Sequence, residues 1–406
     1  MPLIYLFGIW LYAFAVSIAA LFLPKAKDWI TGRKQIWNSL PNVEGKEVFW
    51  FHCASLGEFD QGLPVMNLLR KQKPDAFILV TFFSPSGFNH YNKREHPVDF
   101  ACYIPIDTPK NARRFVAHFQ PVYTFFIKYE FWINHISESK KKGSKLYSIS
   151  TALRPSQHFF KWYGGFFRDT LYQFDYFFAQ NQTTVKLLHS IKIKNVLLTG
   201  DTRFDRVIEN KKGLQINAQI AQFSAGSERI FIAGSTWPKD IELLKQLIQT
   251  NRFEKYIIAP HNVGETHVEE LIHQLSIPVV RYSKMTTETQ INSNVLVIDS
   301  IGQLASAYAQ ASVAYVGGGF SGSLHNILEP AVFGLPVVFG PKHSRFPEAQ
   351  AFIDKGIGFS VSTPEELSVC IDSLVQNRES ISLKSIHFVE ENQGAAAKIM
   401  NLLALS

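Results

Sequence analysis

Val313-Ala314-Tyr315-Val316 runs directly into Gly317-Gly318-Gly319-Phe320, followed by Leu324-His325-Asn326-Ile327-Leu328-Glu329-Pro330 and then Phe333-Gly334-Leu335-Pro336-Val337-Val338. A short apolar run of this kind reads as a buried strand. Three glycines let the backbone make a close approach. A short helix is expected to open near His325, with Glu329 in its first turns, and a second strand follows after Gly334-Leu335-Pro336. A helix start offers unpaired N–H groups to an anion. A carboxylate just inside it can accept bonds from ribose hydroxyls. Strand, glycine turn, helix and strand in this order place a nucleotide site at the carboxyl ends of a parallel sheet. The competing reading is a turn whose glycines serve packing alone.

Outward from this stretch, short apolar strands alternate with helical segments. Val48 to Cys53, Phe77 to Thr81, Val122 to Ile127, Leu146 to Ile149, Tyr176 to Ala179 and Val196 to Thr199 read as strands of a first domain. Ile230 to Ala233, Lys255 to Ala259, Pro278 to Val280, Val295 to Ile298, Val313 to Val316 and Val337 to Phe339 read as a second set. Unbroken apolar strands separated by helices predict parallel sheets covered on both faces. The expected fold class is α/β with two Rossmann-like domains facing across a cleft. The first covers 25–206, a polar linker 207–228, the second 229–388, and a C-terminal helix over 389–406 packs back on the first.

The 406 residues exceed one ordinary core, and 46% hydrophobic with 18% charged content describes a folded chain. A net charge of +7 favours anionic partners. No dense basic run or nucleic-acid motif accompanies it, so nucleic acid is not expected as a partner. Pro2 to Leu23 carries no charge, and Lys25, Lys27, Arg33 and Lys34 follow. This pattern predicts an uncleaved N-terminal membrane anchor over 1–24 with the body on the cytoplasmic side. Three cysteines without paired spacing indicate no disulfide or zinc framework.

His52-Cys53-Ala54-Ser55-Leu56-Gly57-Glu58 ends the first strand and begins a helix, so Glu58 sits at a strand's carboxyl end. A carboxylate there can act as a general base toward a hydroxyl, or cap the helix. Ser84-Pro85-Ser86-Gly87 is a similar loop, whose hydroxyls can contact a phosphate or cap a helix. Glu130 follows the Val122 to Ile127 strand. Arg203, in Gly200-Asp201-Thr202-Arg203-Phe204-Asp205, can stabilise a departing phosphate or pair with Asp201 or Asp205. In the second half, Ala233-Gly234-Ser235-Thr236, Pro260-His261 and Gly302-Gln303-Leu304 are strand-end loops able to frame a base or ribose. Neither a phosphate-binding G-x-x-x-x-G-K-[ST] loop nor a His/Cys/Asp metal cage is present, and no metal or cofactor is expected.

In this order the segments resemble the 3-deoxy-D-manno-octulosonic acid (Kdo) transferases of lipopolysaccharide biosynthesis, from the apolar start to the last helix. The resemblance rests on Ser55 to Glu58, Ser84 to Gly87, Glu130-Phe131-Trp132, Gly200 to Asp205, Ala233 to Thr236 and the His325 to Pro330 block. It implies a GT-B glycosyltransferase that moves Kdo, with inversion and without a metal, from CMP-Kdo to a glucosamine hydroxyl of a lipid A precursor at the cytoplasmic face of the cell inner membrane. It places a general base on Glu58 and transition-state stabilisers on Glu130 and Arg203. CMP contacts fall on Pro260, His261, Gly302, Gln303, Leu304, Asn326, Ile327, Leu328 and Glu329. His261 and Asn262 depart from the Arg-His pair usual in that family. A UDP-sugar transferase of the same architecture and a non-catalytic membrane-bound binding protein are the alternatives.

Overall fold

The computed structural model describes residues 3–93, 95–286 and 292–404. Met1 and Pro2 of the expected anchor, and Leu405 and Ser406 of the last helix, lie outside them. The chain divides into two units, Met1–Arg206 with Asn392–Ser406, and Val207–Glu391.

The first unit holds strands β1 (Val48–Cys53), β2 (Phe77–Phe82), β3 (Phe100–Tyr103), β4 (Tyr123–Ile127), β5 (Lys145–Thr151), β6 (Tyr176–Ala179) and β7 (Val196–Leu198). They lie in the order β3-β2-β1-β4-β5-β6-β7, with every pair parallel. All six residues of β1 are buried. Phe49, Phe51 and Cys53 face one core with Phe59, Leu63 and Met66, while Val48 and Trp50 face another with Phe115 and Phe119. Period-two alternation between two apolar layers is why these strands read as unbroken hydrophobic runs. β3 escapes the sequence reading because it is a four-residue edge strand with only half its residues buried.

The second unit holds β8 (Ile230–Thr236), β9 (Lys255–Pro260), β10 (Val280–Arg281), β11 (Val295–Val297), β12 (Val313–Val316), β13 (Val337–Phe339) and β14 (Gly358–Ser360). Their order is β10-β11-β9-β8-β12-β13-β14, again all parallel. The chain leaves β8 toward β9 on one side and later returns to its other side as β12. The strand order therefore reverses between β8 and β12, where open parallel sheets bind ligands.

Three expectations gain detail or change. The polar stretch 207–228 carries regular structure: it continues the helix Thr202–Lys212 and contains a second, Ala218–Ser224. Asn217 caps that second helix, and Ile220 and Phe223, three residues apart, enter the core of the second unit. The helix expected over 389–406 is two elements, Arg378–Glu391 and Ala395–Ala404, separated at Gly394, whose φ is 93°. The latter places Ala396, Ile399 and Met400 in the first unit's core, and Asp205 accepts from Gly394 N and Ala396 N at its start.

The third change concerns the anchor. Helix α1 (Leu3–Ala19) has 17 residues, a rise of about 25 Å against about 30 Å of hydrocarbon. Among the described residues, no helix is long and apolar enough to cross a membrane. α1 is instead tethered to the first unit, where Tyr5 OH donates to Asp107 (2.6 Å) and Tyr12 meets the rings of Trp29 and Phe83. Leu3, Ile4, Phe7, Trp10, Leu11 and Phe14 remain more than half exposed. Helix α2 (Pro24–Gln35) then brings Arg33 under the domain surface, stacked 3.8 Å from Trp29 and bonded to Phe83 O (2.8 Å).

Candidate active site

At the carboxyl edge of the first sheet, β1 passes through Ala54 and Ser55 into helix α3 (Leu56–Gln72). Ser55 Oγ caps the helix by accepting from Glu58 N (3.4 Å), and the Glu58 carboxylate accepts from Ala54 N in the turn before it. Glu58 is only 6% exposed. Burial, with the nearby Glu130 carboxylate, pushes its acid constant up to about 7 despite the backbone bonds and Lys128 that oppose the rise. Glu58 is thus both an acceptor in that turn and a carboxyl group poised to exchange a proton at neutral pH.

Glu130 stands just beyond β4, and burial also raises its acid constant. Its loop is fixed by two features. Lys128 lies in the left-handed region at φ 64°, a strained conformation for a side chain of this size. Trp132 donates from Nε1 to His52 Nε2 (2.9 Å) and stacks on Phe83 at 4.9 Å. Burial, followed by neighbouring His135 and Arg33, lowers the His52 constant to about 3, so the ring is a neutral acceptor. Its other nitrogen meets Thr81 Oγ1 at 2.9 Å. The Ser84 hydroxyl caps the four-residue helix Pro85–Phe88, and Ser84 N bonds Ala54 O (2.9 Å), which joins this loop to the one carrying Glu58.

Arg203 opens the helix Thr202–Lys212, whose Thr202 hydroxyl bonds Gln61 O on α3 (2.7 Å). Its guanidinium pairs with Asp201 at 2.7 Å, the ion-pair alternative raised by the sequence; Asp205 serves the C-terminal helix instead. The first unit thus brings Glu58 and Glu130 into electrostatic contact and ties Arg203's helix to α3. Sequence reasoning missed Lys128 and the His52–Trp132 bond. A lysine at a strand's end was visible, but its strained backbone and its field on Glu58 were not.

In the second unit, Pro260-His261 end β9, Gly302-Gln303-Leu304 follow β11, and Asn326 to Glu329 follow β12, all at one sheet edge. Gln303 precedes the helix Leu304–Tyr308. Tyr308 is fully buried beside Gly234, and the Glu329 charge acts on it. Asn326 accepts from Leu328 N and donates to Glu329 Oε1, both at 3.2 Å.

The glycine turn differs from its expected form. A Cβ on Gly317 would strike Ser235 O, and one on Gly318, at φ 90°, would strike Ser323 O, so these glycines admit neighbouring backbone. Gly318 N already donates to Asp240 Oδ2 (3.1 Å), which also takes Trp237 N (2.8 Å), while Oδ1 takes Tyr315 OH (2.6 Å). The helix expected near His325 begins at Leu328 and has four residues, too few for an appreciable dipole. The side chains that gather at this edge are aromatic instead. His261 stacks on Trp237 (4.4 Å, 17°), His325 packs on His261 (4.7 Å), and Trp237 Nε1 donates to His325 Nε2 (3.3 Å). Trp237 and His325 were absent from the expected site because their meeting depends on β8, β9 and β12 being neighbours.

Residues 31–206 match the family model described as 3-Deoxy-D-manno-octulosonic-acid transferase (kdotransferase). Over this first part the chain is similar to Kdo transferases of the GT-B type. It is similar to a 3-deoxy-D-manno-octulosonic acid transferase of Aquifex aeolicus, with 24% identity over 85% of this chain and 90% of that one. It is also similar to a bifunctional glycosyltransferase/methyltransferase of Fusobacterium nucleatum, with 23% identity over 93% of this chain. It spans 60% of that longer protein. Among solved structures, UDP-GlcNAc 2-epimerase from Neisseria meningitidis superposes with a TM-score of 0.66 over 89% of this chain and all of that one. At 16% identity, that likeness concerns the fold alone.

Proposed function

We propose that this protein is an inverting glycosyltransferase that moves Kdo from CMP-Kdo to a glucosamine hydroxyl of a lipid A precursor. The observation that carries the reading is Glu58, buried at the carboxyl edge of the first sheet with an acid constant of about 7. In the reaction Glu58 takes the proton of the acceptor hydroxyl, whose oxygen bonds the anomeric carbon. The bond from that carbon to the phosphate oxygen breaks, and its electron pair leaves with CMP. Glu130 supports the positive charge that develops on the sugar, and Arg203, oriented by Asp201, offsets the phosphate. The second unit's edge, from Pro260-His261 through Gly302-Gln303-Leu304 to Asn326-Ile327-Leu328-Glu329, holds the nucleotide. No step calls for a metal ion or a cofactor.

A lipid acceptor calls for contact with a bilayer, here the cytoplasmic face of the inner membrane. The exposed apolar side of α1, followed by Lys25, Lys27 and Lys34, suits a helix lying in the interface of an anionic membrane. The test supplies purified protein with CMP-Kdo and a tetra-acylated lipid A precursor and weighs the lipid product by mass spectrometry. A product heavier by one or more Kdo units, absent with Glu58→Gln, is expected. No Kdo-bearing lipid from the wild type would refute the proposal.

A further inference from the structure

The cluster of Trp237, His261 and His325 sits where the second sheet's strand order reverses, and none of these residues is a fixed cation. Yet a nucleotide sugar carries a phosphodiester charge that must be met at such an edge. The two imidazoles are not equivalent. Trp237 Nε1–H donates to His325 Nε2, so a proton on that nitrogen would set two hydrogens against each other. His325 is therefore held as a neutral acceptor. His261 is placed the opposite way. Its ring is stacked at 17° on the Trp237 indole face, an arrangement that favours an imidazolium by cation–π attraction. Neither of its ring nitrogens has a hydrogen-bond partner among the described residues, while its backbone N–H is fixed on Thr236 O (3.0 Å). The residue as a whole is exposed.

We infer that His261 is the second unit's own contact to the donor's phosphodiester, and that it makes this contact by taking up a proton from solvent as the ligand binds. The inference rests on the reading of the second unit as a cytidylate-sugar site. It assigns His261 a specific task there: a proton-dependent anion contact in place of a permanent charge.

The groups around His261 are consistent with that task. His325 is the titratable ring packed against it, and burial together with His261 lowers its constant to about 4. Asp240, at the start of the helix after Trp237, is occupied by three donors. In the helix Glu265–Leu275 that follows, His267 is engaged by Asn262 (3.2 Å), and Glu265 is held by Arg281 (2.7 Å). Partial desolvation beside its stacked neighbours lowers the constant of His261, which favours the neutral ring until an anion arrives.

The experiment measures binding of cytidine 5′-methyl phosphate to the full-length protein by calorimetry. This phosphodiester does not titrate near neutrality. At pH 7.5, in two buffers of different ionisation enthalpy, the wild type is expected to take up most of one proton. From pH 6 to 8.5 its Kd should weaken by up to tenfold per pH unit. His261→Asn should bind weakly, with no proton uptake and a flat pH profile. His261→Arg should restore binding, also without uptake. Wild-type binding that is indifferent to pH and buffer would overturn the inference while leaving the cytidylate site standing. Uptake that persists in His261→Asn would also overturn it. If the wild type ignores the cytidine ester at every pH and binds UDP, the donor reading itself fails, and the inference falls with it.

Discussion

Replacing Glu58 by Gln should remove activity and, above neutral pH, make the protein more stable. The magnitude follows from the site. An unperturbed glutamate titrates at 4.5, and Glu58 in the folded chain at about 7. A raised constant means that the folded state binds the proton more tightly than the unfolded state. The associated stability is fully present below pH 4.5 and is lost as pH rises through 7. Above that, the buried charge costs the fold about 3 kcal/mol. Glutamine keeps the shape, still accepts from Ala54 N and carries no charge. Wild type and variant should therefore differ little at pH 4.5, whereas at pH 8.5 the variant gains about 3 kcal/mol. For a unit of this size, that corresponds to about 6–12 °C in Tm. Urea or thermal unfolding at the two pH values tests this, alongside a transfer assay in which the variant should lose about 10²-fold or more. A stability difference that does not change between pH 4.5 and 8.5 would refute the reasoning, because Glu58 would then not be held in a charge-hostile site.

The rate of Kdo transfer under kcat/KM conditions should fall on the acid side of about pH 7, where Glu58 becomes protonated, and Glu130→Gln should move that limb to lower pH by removing a repelling charge. A limb unmoved in the variant would separate the two carboxylates. Trp132→Phe keeps the stack on Phe83 but leaves the buried His52 Nε2 without its donor; a loss of about 1–3 kcal/mol is expected by denaturation, with slower transfer as the Glu130 loop loosens. Gly317→Ala drives a methyl into Ser235 O and should cost about 2 kcal/mol or more, read as a lowered unfolding midpoint; an unchanged midpoint would mean that the turn has room to yield.

The run of apolar strands was enough to announce two parallel sheets, because a strand buried on both faces has no polar positions to disguise it. Glu58 and Glu130 were legible for a related reason, since each follows such a strand directly and must emerge at its carboxyl end. The same logic placed Pro260, Gly302 and Asn326 on one edge. Short or half-exposed strands such as β3 and β14 carried too little hydrophobic signal to be seen. The polar stretch 207–228 concealed the helix Ala218–Ser224, whose buried side is only a few residues wide.

Local sequence thus set the strands, the caps and which side chains arrive at the sheet edges, all of which depend on near neighbours in the chain. The tertiary structure alone decided what those side chains experience. The field of Glu130 on Glu58, the His52 acceptor beneath Trp132 and the stack of Trp237, His261 and His325 all arise between residues far apart in sequence. The closing of the glycine turn on Asp240 and Ser235 belongs with them. Burial and charge proximity act through space, so these properties exist only once the strands have taken their order in the sheet.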